Sequence, residues 1–149
     1  MTPQQIAEAV CEGMFANDRA SKGLGMRIDA IAPGAATVSM KVREDMLNGF
    51  DICHGGFITT LADSAFAFAC NSYNELTVAS GFAIDIVAPA RLNDTLSAVA
   101  CEISLAGRTG VYDITIRNQQ QQLVAVFRGK SYRIKGKPVV PGLATGAQE

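Results

Sequence analysis

Asn48-Gly49-Phe50-Asp51-Ile52-Cys53-His54-Gly55-Gly56-Phe57 runs directly into Ile58-Thr59-Thr60-Leu61-Ala62-Asp63-Ser64-Ala65-Phe66-Ala67-Phe68-Ala69-Cys70-Asn71, and how this stretch folds decides the architecture. From Phe57 to Cys70 the only charge is Asp63. Phe57, Leu61, Ala65, Phe68 and Ala69 recur at spacings of three and four, the pattern of a helix with one buried face. Ala62, Ala65, Ala67 and Ala69 are small enough for a sheet to close tightly around them. The pattern predicts a central helix over about residues 54–74, roughly 30 Å long and the longest element in the chain. A carboxylate in the middle of so apolar a helix is costly unless something binds it or reacts with it.

Upstream, Thr2-Pro3-Gln4-Gln5 reads as a capping box with proline at the first helical position, opening an amphipathic helix over 3–20 along Ile6, Val10 and Met14. Met26–Ala32 and Ala36–Val42 read as strands joined across Pro33-Gly34. Downstream, Thr77–Val87, Leu96–Leu105, a strand on which Tyr112, Ile114 and Ile116 alternate with polar residues, and Leu123–Tyr132 follow one another as strands. These elements predict a single α+β domain over residues 1–137, a curved antiparallel sheet wrapped around the central helix. Residues 138–149 read as a flexible tail. The exposed edges of such a sheet invite oligomerisation.

The chain has 149 residues, 48% apolar and 18% charged, enough for one domain with a real core. No apolar run approaches membrane-spanning length, and the N-terminus lacks a signal peptide's basic start and apolar stretch. Cys11, Cys53, Cys70 and Cys101 are widely spaced, which argues against a metal cluster or a disulfide framework. A cytoplasmic protein without metal or membrane attachment is expected. The net charge of −1 conceals a segregation: residues 105–137 hold seven basic side chains against Asp113 alone. That composition fits either a local polyanion site or solvated strand faces, and not general nucleic-acid affinity.

Several motifs fail. Gly23-x-Gly25 meets Ile28 where a dinucleotide fingerprint needs glycine, and Gly129-Lys130-Ser131 ends like a phosphate-binding loop whose first glycine is Val124. There is no nucleophile elbow, and His54 is the single histidine.

The helix start carries chemistry of its own. The first amides of a helix have no intrahelical acceptor and lie at the positive end of its dipole. At Gly55 and Gly56 a substrate carbonyl could approach them as in an oxyanion hole, or the glycines only permit a tight entry turn. Gly55 and Asp63 are eight residues apart, about 12 Å along one axis, so one carbonyl cannot touch both in the same chain. If they form one site, the carboxylate comes from a second copy. The alternative for Asp63 is a structural carboxylate bonded to Ser64, Thr59 or Thr60, or facing water. His54 reads as positioning the loop rather than as a base, and Cys53 as a small packed residue. Asn48 either orients a water or carbonyl or shapes the turn. Ser80 faces the carboxylate or fills a strand position. Phe57, Phe66 and Phe68 accept a ring or belong to the core.

Met46-Leu47-Asn48-Gly49, Cys53-His54-Gly55-Gly56, Leu61 through Asn71, Gly110-Val111-Tyr112-Asp113 and Phe127-Arg128-Gly129-Lys130-Ser131 together resemble the hotdog-fold acyl-CoA thioesterases, specifically the phenylacetic acid degradation (PaaI-type) group. The resemblance implies a sheet wrapped on a central helix, homodimers that are a catalytic necessity, and a dimer-of-dimers tetramer. It matches Asp63 to the catalytic carboxylate, Gly55 of the partner to the backbone donor on the thioester carbonyl, and His54 and Asn48 to supporting residues. It further implies a CoA site near Arg91, Gly107, Arg108, Thr109, Arg128 and Lys130, with Ser80 beside the reacting group. The expected reaction is hydrolysis of a phenylacetyl- or hydroxyphenylacetyl-type CoA ester to free acid and CoA, without cofactor. The rivals are a hydratase or dehydratase on the same fold, with His54 as base, and a non-catalytic acyl-CoA-binding module.

Overall fold

In the computed structural model, which describes residues 1–145, helix α1 (Pro3–Asn17) is opened by the expected capping box. The Thr2 hydroxyl accepts from the Gln5 amide, and the Gln5 side chain accepts from the Thr2 amide. The predicted helix over 3–20 breaks at Asp18. That carboxylate accepts from the Ser21 amide at 2.9 Å and starts a second short helix, α2 (Arg19–Gly23). An aspartate that caps the next turn competes with helix continuation.

Strands β1 (Arg27–Ala32) and β2 (Ala35–Lys41) are joined by Pro33-Gly34, with Gly34 at φ +73°. Proline followed by a left-handed glycine is the chemistry of a tight type II turn. The central helix α3 spans Gly55–Asn71, shorter at both ends than the sequence pattern suggests. It stops because the Asn71 side chain turns to the backbone of Thr77, accepting from its N–H at 2.8 Å and donating to its carbonyl at 3.0 Å. Ser72 locks the same corner, its hydroxyl donating to the Ala69 carbonyl and accepting from the Gly34 amide.

Four strands follow: β3 (Thr77–Ile86), β4 (Thr95–Ala106), β5 (Thr109–Arg117) and β6 (Leu123–Arg133). The six strands form one antiparallel sheet in the order β1-β2-β4-β5-β6-β3. β2 therefore pairs with β4, and β3 lies on the far edge beside β6. The carboxyl-terminal stretch is tied to the corner after α3. Leu76 N–H donates to the Lys137 carbonyl, and the Asn74 amide side chain exchanges hydrogen bonds with Val140 and donates to Leu143. The last four residues of the predicted flexible tail lie outside the described residues.

The core forms where α3 lies on the concave face of the sheet. Leu61, Ala62, Ala65, Phe66, Phe68 and Ala69 are buried there against Val38, Met40, Leu96, Tyr112, Ile114 and Phe127. Phe66 is 1% exposed, and its ring fills the space over Gly129: a β-carbon at Gly129 would come within 2.8 Å of it. Gly129 thus serves ring packing, which accounts for the glycine in the false phosphate-loop ending. Phe66 and Phe68 are core residues and not acyl-group contacts, whereas Phe57 is half-buried and edge-on to His54.

β3 differs from the other strands. Only Thr77 is buried, and Val78, Phe82 and Ile86 are exposed although apolar. One side of its backbone pairs with β6; the other side is a free sheet edge. α3 runs alongside it in the opposite sense, with Gly55 against Ile86 and Asn71 bonded to Thr77.

Candidate active site

The loop leading into α3 is folded by its own side chains. Asn48 Oδ1 accepts from the Phe50 amide at 2.9 Å and the Ile52 amide at 3.4 Å, while the Asn48 amide donates to the Ile52 carbonyl. The Asn48 side-chain nitrogen has no acceptor among the described residues. Asp51 takes a left-handed conformation, φ +59°, at the tip. The His54 amide donates to the Met46 carbonyl and the Cys53 amide to the Ala90 carbonyl, which pins the helix start to the loop after β3.

His54 caps α3. Its Nδ1 accepts from the Gly56 amide at 3.0 Å. Gly56 is thereby satisfied, and the Gly55 amide is left without an acceptor among the described residues. Both accounts of the glycines hold together: a β-carbon at Gly55 would come 3.0 Å from Ile86 Cδ1, so the missing side chain lets β3 close on the helix start. Cys53 is 4% exposed, and burial pushes its thiol up to about 11, far from a reactive thiolate.

A cavity of about 490 Å³ opens at this end of the helix, lined by Asn48, Ile52, Gly55, Ile58, Ile86 and Pro89 among others. Asn48 and Gly55 therefore share one cavity. Its apolar walls were not among the sequence-derived candidates. Ile86 and Ile52 meet only because the end of one element and the start of another converge, and the sole local signal is the apolar Ile86-Val87 pair ahead of Pro89.

Asp63 stands midway along α3 on the side facing away from the sheet's core, exposed in the single chain. The three hydroxyls that could have made it structural are engaged elsewhere. Thr59 donates to the Gly55 carbonyl and Thr60 to the Gly56 carbonyl, both at 2.8 Å, and Ser64 bonds to Ser21. Among the described residues Asp63 has no hydrogen-bond partner. The surrounding protein raises its carboxyl above the ordinary carboxylate range by desolvation.

The proposed CoA contacts fall into two groups. Arg91 follows the cavity-lining loop, where its amide donates to Asp94. Gly107, Arg108 and Thr109 form the β4–β5 turn at the other end of the sheet, Gly107 at φ +62° and Thr109 donating to the Ala106 carbonyl. Thr109 is level with Tyr132 and so with Val78, eight residues or about 26 Å along β3 from Ile86. Arg108 bonds to the Tyr132 hydroxyl at 3.3 Å. Ser80 sits at a bulge in β3 and donates to the carbonyl of Lys130, which itself lies exposed on β6. Arg128 is not available as a lone cation: it grips Asp113 through two hydrogen bonds of 2.6 and 2.8 Å, which hold the Asp113 carboxyl below its usual range. Sequence could not reveal that pairing, because the two residues meet only through the β5–β6 register.

The profile of the thioesterase superfamily matches residues 50–125, which include all of α3 and β3. The acyl-coenzyme A thioesterase PaaI of Escherichia coli K12 is 50% identical over 123 residues, 83% of this chain and 88% of that protein. The chain belongs to the thioesterase superfamily. Its fold is the hotdog fold of these thioesterases: the structure of the E. coli PaaI protein from the phenylacetic acid degradation operon matches it with a TM-score of 0.89 and 46% identity, over 91% of this chain and 99% of that one. A Streptococcus mutans protein solved with acetyl CoA bound matches with a TM-score of 0.72 and 25% identity, over 75% of this chain and 90% of that one. This thioesterase is a thioester hydrolase, and its one histidine, His54, is engaged through Nδ1 as a helix cap. Among the described residues, no helix of the thioesterase is long and apolar enough to cross a membrane.

Proposed function

We propose that the protein is an acyl-CoA thioesterase that hydrolyses aryl-type esters, phenylacetyl- or hydroxyphenylacetyl-CoA, at a site shared by two protomers. The observation that carries this reading is the complementary pair of orphans in one chain: a carboxylate without a donor at Asp63, and an amide without an acceptor at Gly55. They lie about 12 Å apart on one helix and cannot act on one carbonyl there.

A twofold axis at the free edge of β3 reconciles them. Pairing β3 with its own copy about an axis close to Ala83 would set each Ile86, with Gly55 against it, beside the other chain's Gly81. That is level with the middle of α3, where Asp63 stands, and with Ser80. The same operation would bring each β4–β5 turn, with Gly107, Arg108 and Thr109, level with the partner's Pro89–Arg91 loop. It would also cover Val78, Phe82 and Ile86, apolar side chains otherwise left to solvent. The split groups of CoA contacts then become one, with Arg91 and Arg108 as its cations and Lys130 beside them.

In this site the thioester carbonyl points at the Gly55 amide of one protomer. Asp63 of the other acts on the carbonyl carbon, either through a water whose proton it takes, or by direct attack to an anhydride that water then hydrolyses, returning the carboxylate. The carbon–sulfur bond breaks, the pantetheine sulfur leaves as the thiol, and the acyl group ends as the free acid. Asn48 supplies a side-chain N–H₂ in the same cavity as Gly55. The four cysteines are free thiols, which supports a reducing, cytoplasmic setting.

The reading is tested by thiol release across aliphatic, benzoyl, phenylacetyl and hydroxyphenylacetyl CoA esters, with wild type and Asp63→Asn. Turnover is expected for the aryl esters and lost in the variant. Binding of CoA esters without release of thiol by the wild type would instead indicate a non-catalytic binding module.

A further inference from the structure

Phe82 stands on β3 at the level of the reacting groups, with its ring half open. It pairs with Gly129 of β6, and paired residues point to the same face of a sheet. Gly129 faces α3, since the Phe66 ring lies over it, so Phe82 also rises on the helix side. There its ring stacks on that of Phe127, centroids 4.8 Å apart and planes 25° from parallel. Phe127 is 2% exposed and lies 5.9 Å from the Phe66 ring, whereas Phe82 is 49% exposed. A run of aromatic contacts thus begins in the core and ends at an open ring on the sheet edge.

Two anchors set Phe82 level with Asp63. α3 and β3 run in opposite senses, joined at one end where Gly55 abuts Ile86 and at the other where Asn71 bonds to Thr77. Asp63 is the midpoint of Gly55–Asn71, and Gly81 and Phe82 are the middle pair of Thr77–Ile86. Asp63 also precedes Phe66 by three residues and so shares its flank of the helix, while the space under Phe66 is that over Gly129, the residue opposite Phe82. The twofold pairing near Ala83 would bring the partner's Ile86, and with it the partner's Gly55, beside Gly81. Strand pairing runs in the plane of the sheet, whereas the Phe82 side chain rises from that plane. The ring is therefore left facing the space between strand and helix.

A ring one methylene from the thioester carbonyl, as in a phenylacetyl group, cannot leave this neighbourhood while the carbonyl sits between Gly55 and Asp63. We propose that Phe82 of the protomer that supplies Asp63 receives the aryl ring of the acyl group by stacking, and so sets the preference for aryl over saturated acyl groups. An apolar wall takes either kind by area alone; a ring against a ring adds an attraction that only an aromatic partner gains. Phe127 beneath holds the plane of Phe82, so less side-chain freedom is lost on binding. Phe82 has this role only if Asp63 and Gly55 share a site across two protomers, as proposed above.

The test compares thiol release from phenylacetyl-CoA and cyclohexylacetyl-CoA, whose rings are of similar size and differ in aromaticity. Wild type, Phe82→Leu and Phe82→Tyr are used, each checked by sedimentation for the wild-type oligomer. The ratio of kcat/KM, phenyl over cyclohexyl, should fall about two- to tenfold in Phe82→Leu, the range of one aromatic pair, and hold in Phe82→Tyr, which keeps the ring. Thiol release that requires Asp63, with a ratio unchanged in Phe82→Leu, would overturn the role of Phe82 and leave the shared site standing. No thiol from either ester with the wild type would overturn the shared-site reading, and the role of Phe82 with it. Should Phe82→Leu lose the oligomer, the wild type answers directly. With ¹³C-labelled phenylalanine, the ring signal missing from Phe82→Tyr should move with phenylacetate, at a concentration that inhibits turnover, and much less with cyclohexylacetate. An unmoved signal would overturn the assignment.

Discussion

At the scale of single residues, the Asp63 carboxylate and the Gly55 amide of α3 are left unmatched among the described residues, and in the proposed site both meet substrate. Removing the charge of Asp63 with Asp63→Asn is expected to lower kcat by about 10²–10⁴, the range for loss of a positioned proton acceptor, with the circular dichroism spectrum unchanged. Because desolvation raises the Asp63 carboxyl, the acid limb of kcat/KM should lie above the ordinary aspartate value of about 3.9 and disappear in the variant. The stability effect has the opposite sense. A carboxyl with a raised folded-state pKa binds its proton more tightly in the folded chain, so its contribution is fully present below the unfolded value and is lost as pH rises through the raised one. Asp63→Asn should therefore be at least as stable as wild type at neutral pH in thermal melts, and the difference should close on acidification. Asp63 stood out in the sequence because a lone charge interrupts an apolar helix, and the structure leaves that carboxylate without a partner among the described residues. The cap made by His54 was only half legible: its neighbourhood to the glycines is local, but that its Nδ1 takes the Gly56 amide and leaves that of Gly55 is a matter of conformation.

At the scale of elements, α3 and the sheet are held together by a few large contacts. Phe66→Ala should cost about 3–5 kcal/mol of unfolding free energy, since the ring fills the space over Gly129 and touches Tyr112 and Phe127. Gly129→Ala should cost about 1–3 kcal/mol from the other side of the same contact, by overpacking. Denaturant unfolding measures both, and a loss well under 1 kcal/mol for the pair would contradict the packing described. The existence of these elements was readable from periodicity, from the Thr2–Gln5 capping box and from Pro33-Gly34, all of which act within a few residues. Their ends were not. Asp18 divides the first helix and Asn71 ends the third through hydrogen bonds whose choice over helix continuation depends on the folded surroundings. The position of β3 beyond β6 was likewise hidden, because strand order depends on which edge the α3 crossover reaches and not on any one strand's residues.

At the scale of the whole molecule, the chain has one long edge strand whose apolar side chains face solvent and, in the proposed site, a pair of groups that a single copy cannot bring to one carbonyl. The proposed twofold partner at β3 would meet both deficits. Phe82→Lys, placing a charge on that edge, should shift sedimentation toward the single chain and remove thiol release in parallel. The most direct measurement mixes two disabled chains. Asp63→Asn lacks the carboxylate, and Gly55→Ala places a methyl group against Ile86 at the donor amide. Each is expected to be inactive alone, whereas co-expressed and purified as a hybrid dimer they should recover thiol release on phenylacetyl-CoA, since one of the two shared sites then carries neither substitution. A hybrid that forms and stays as inactive as its parents would show that Asp63 and Gly55 do not act across the two chains.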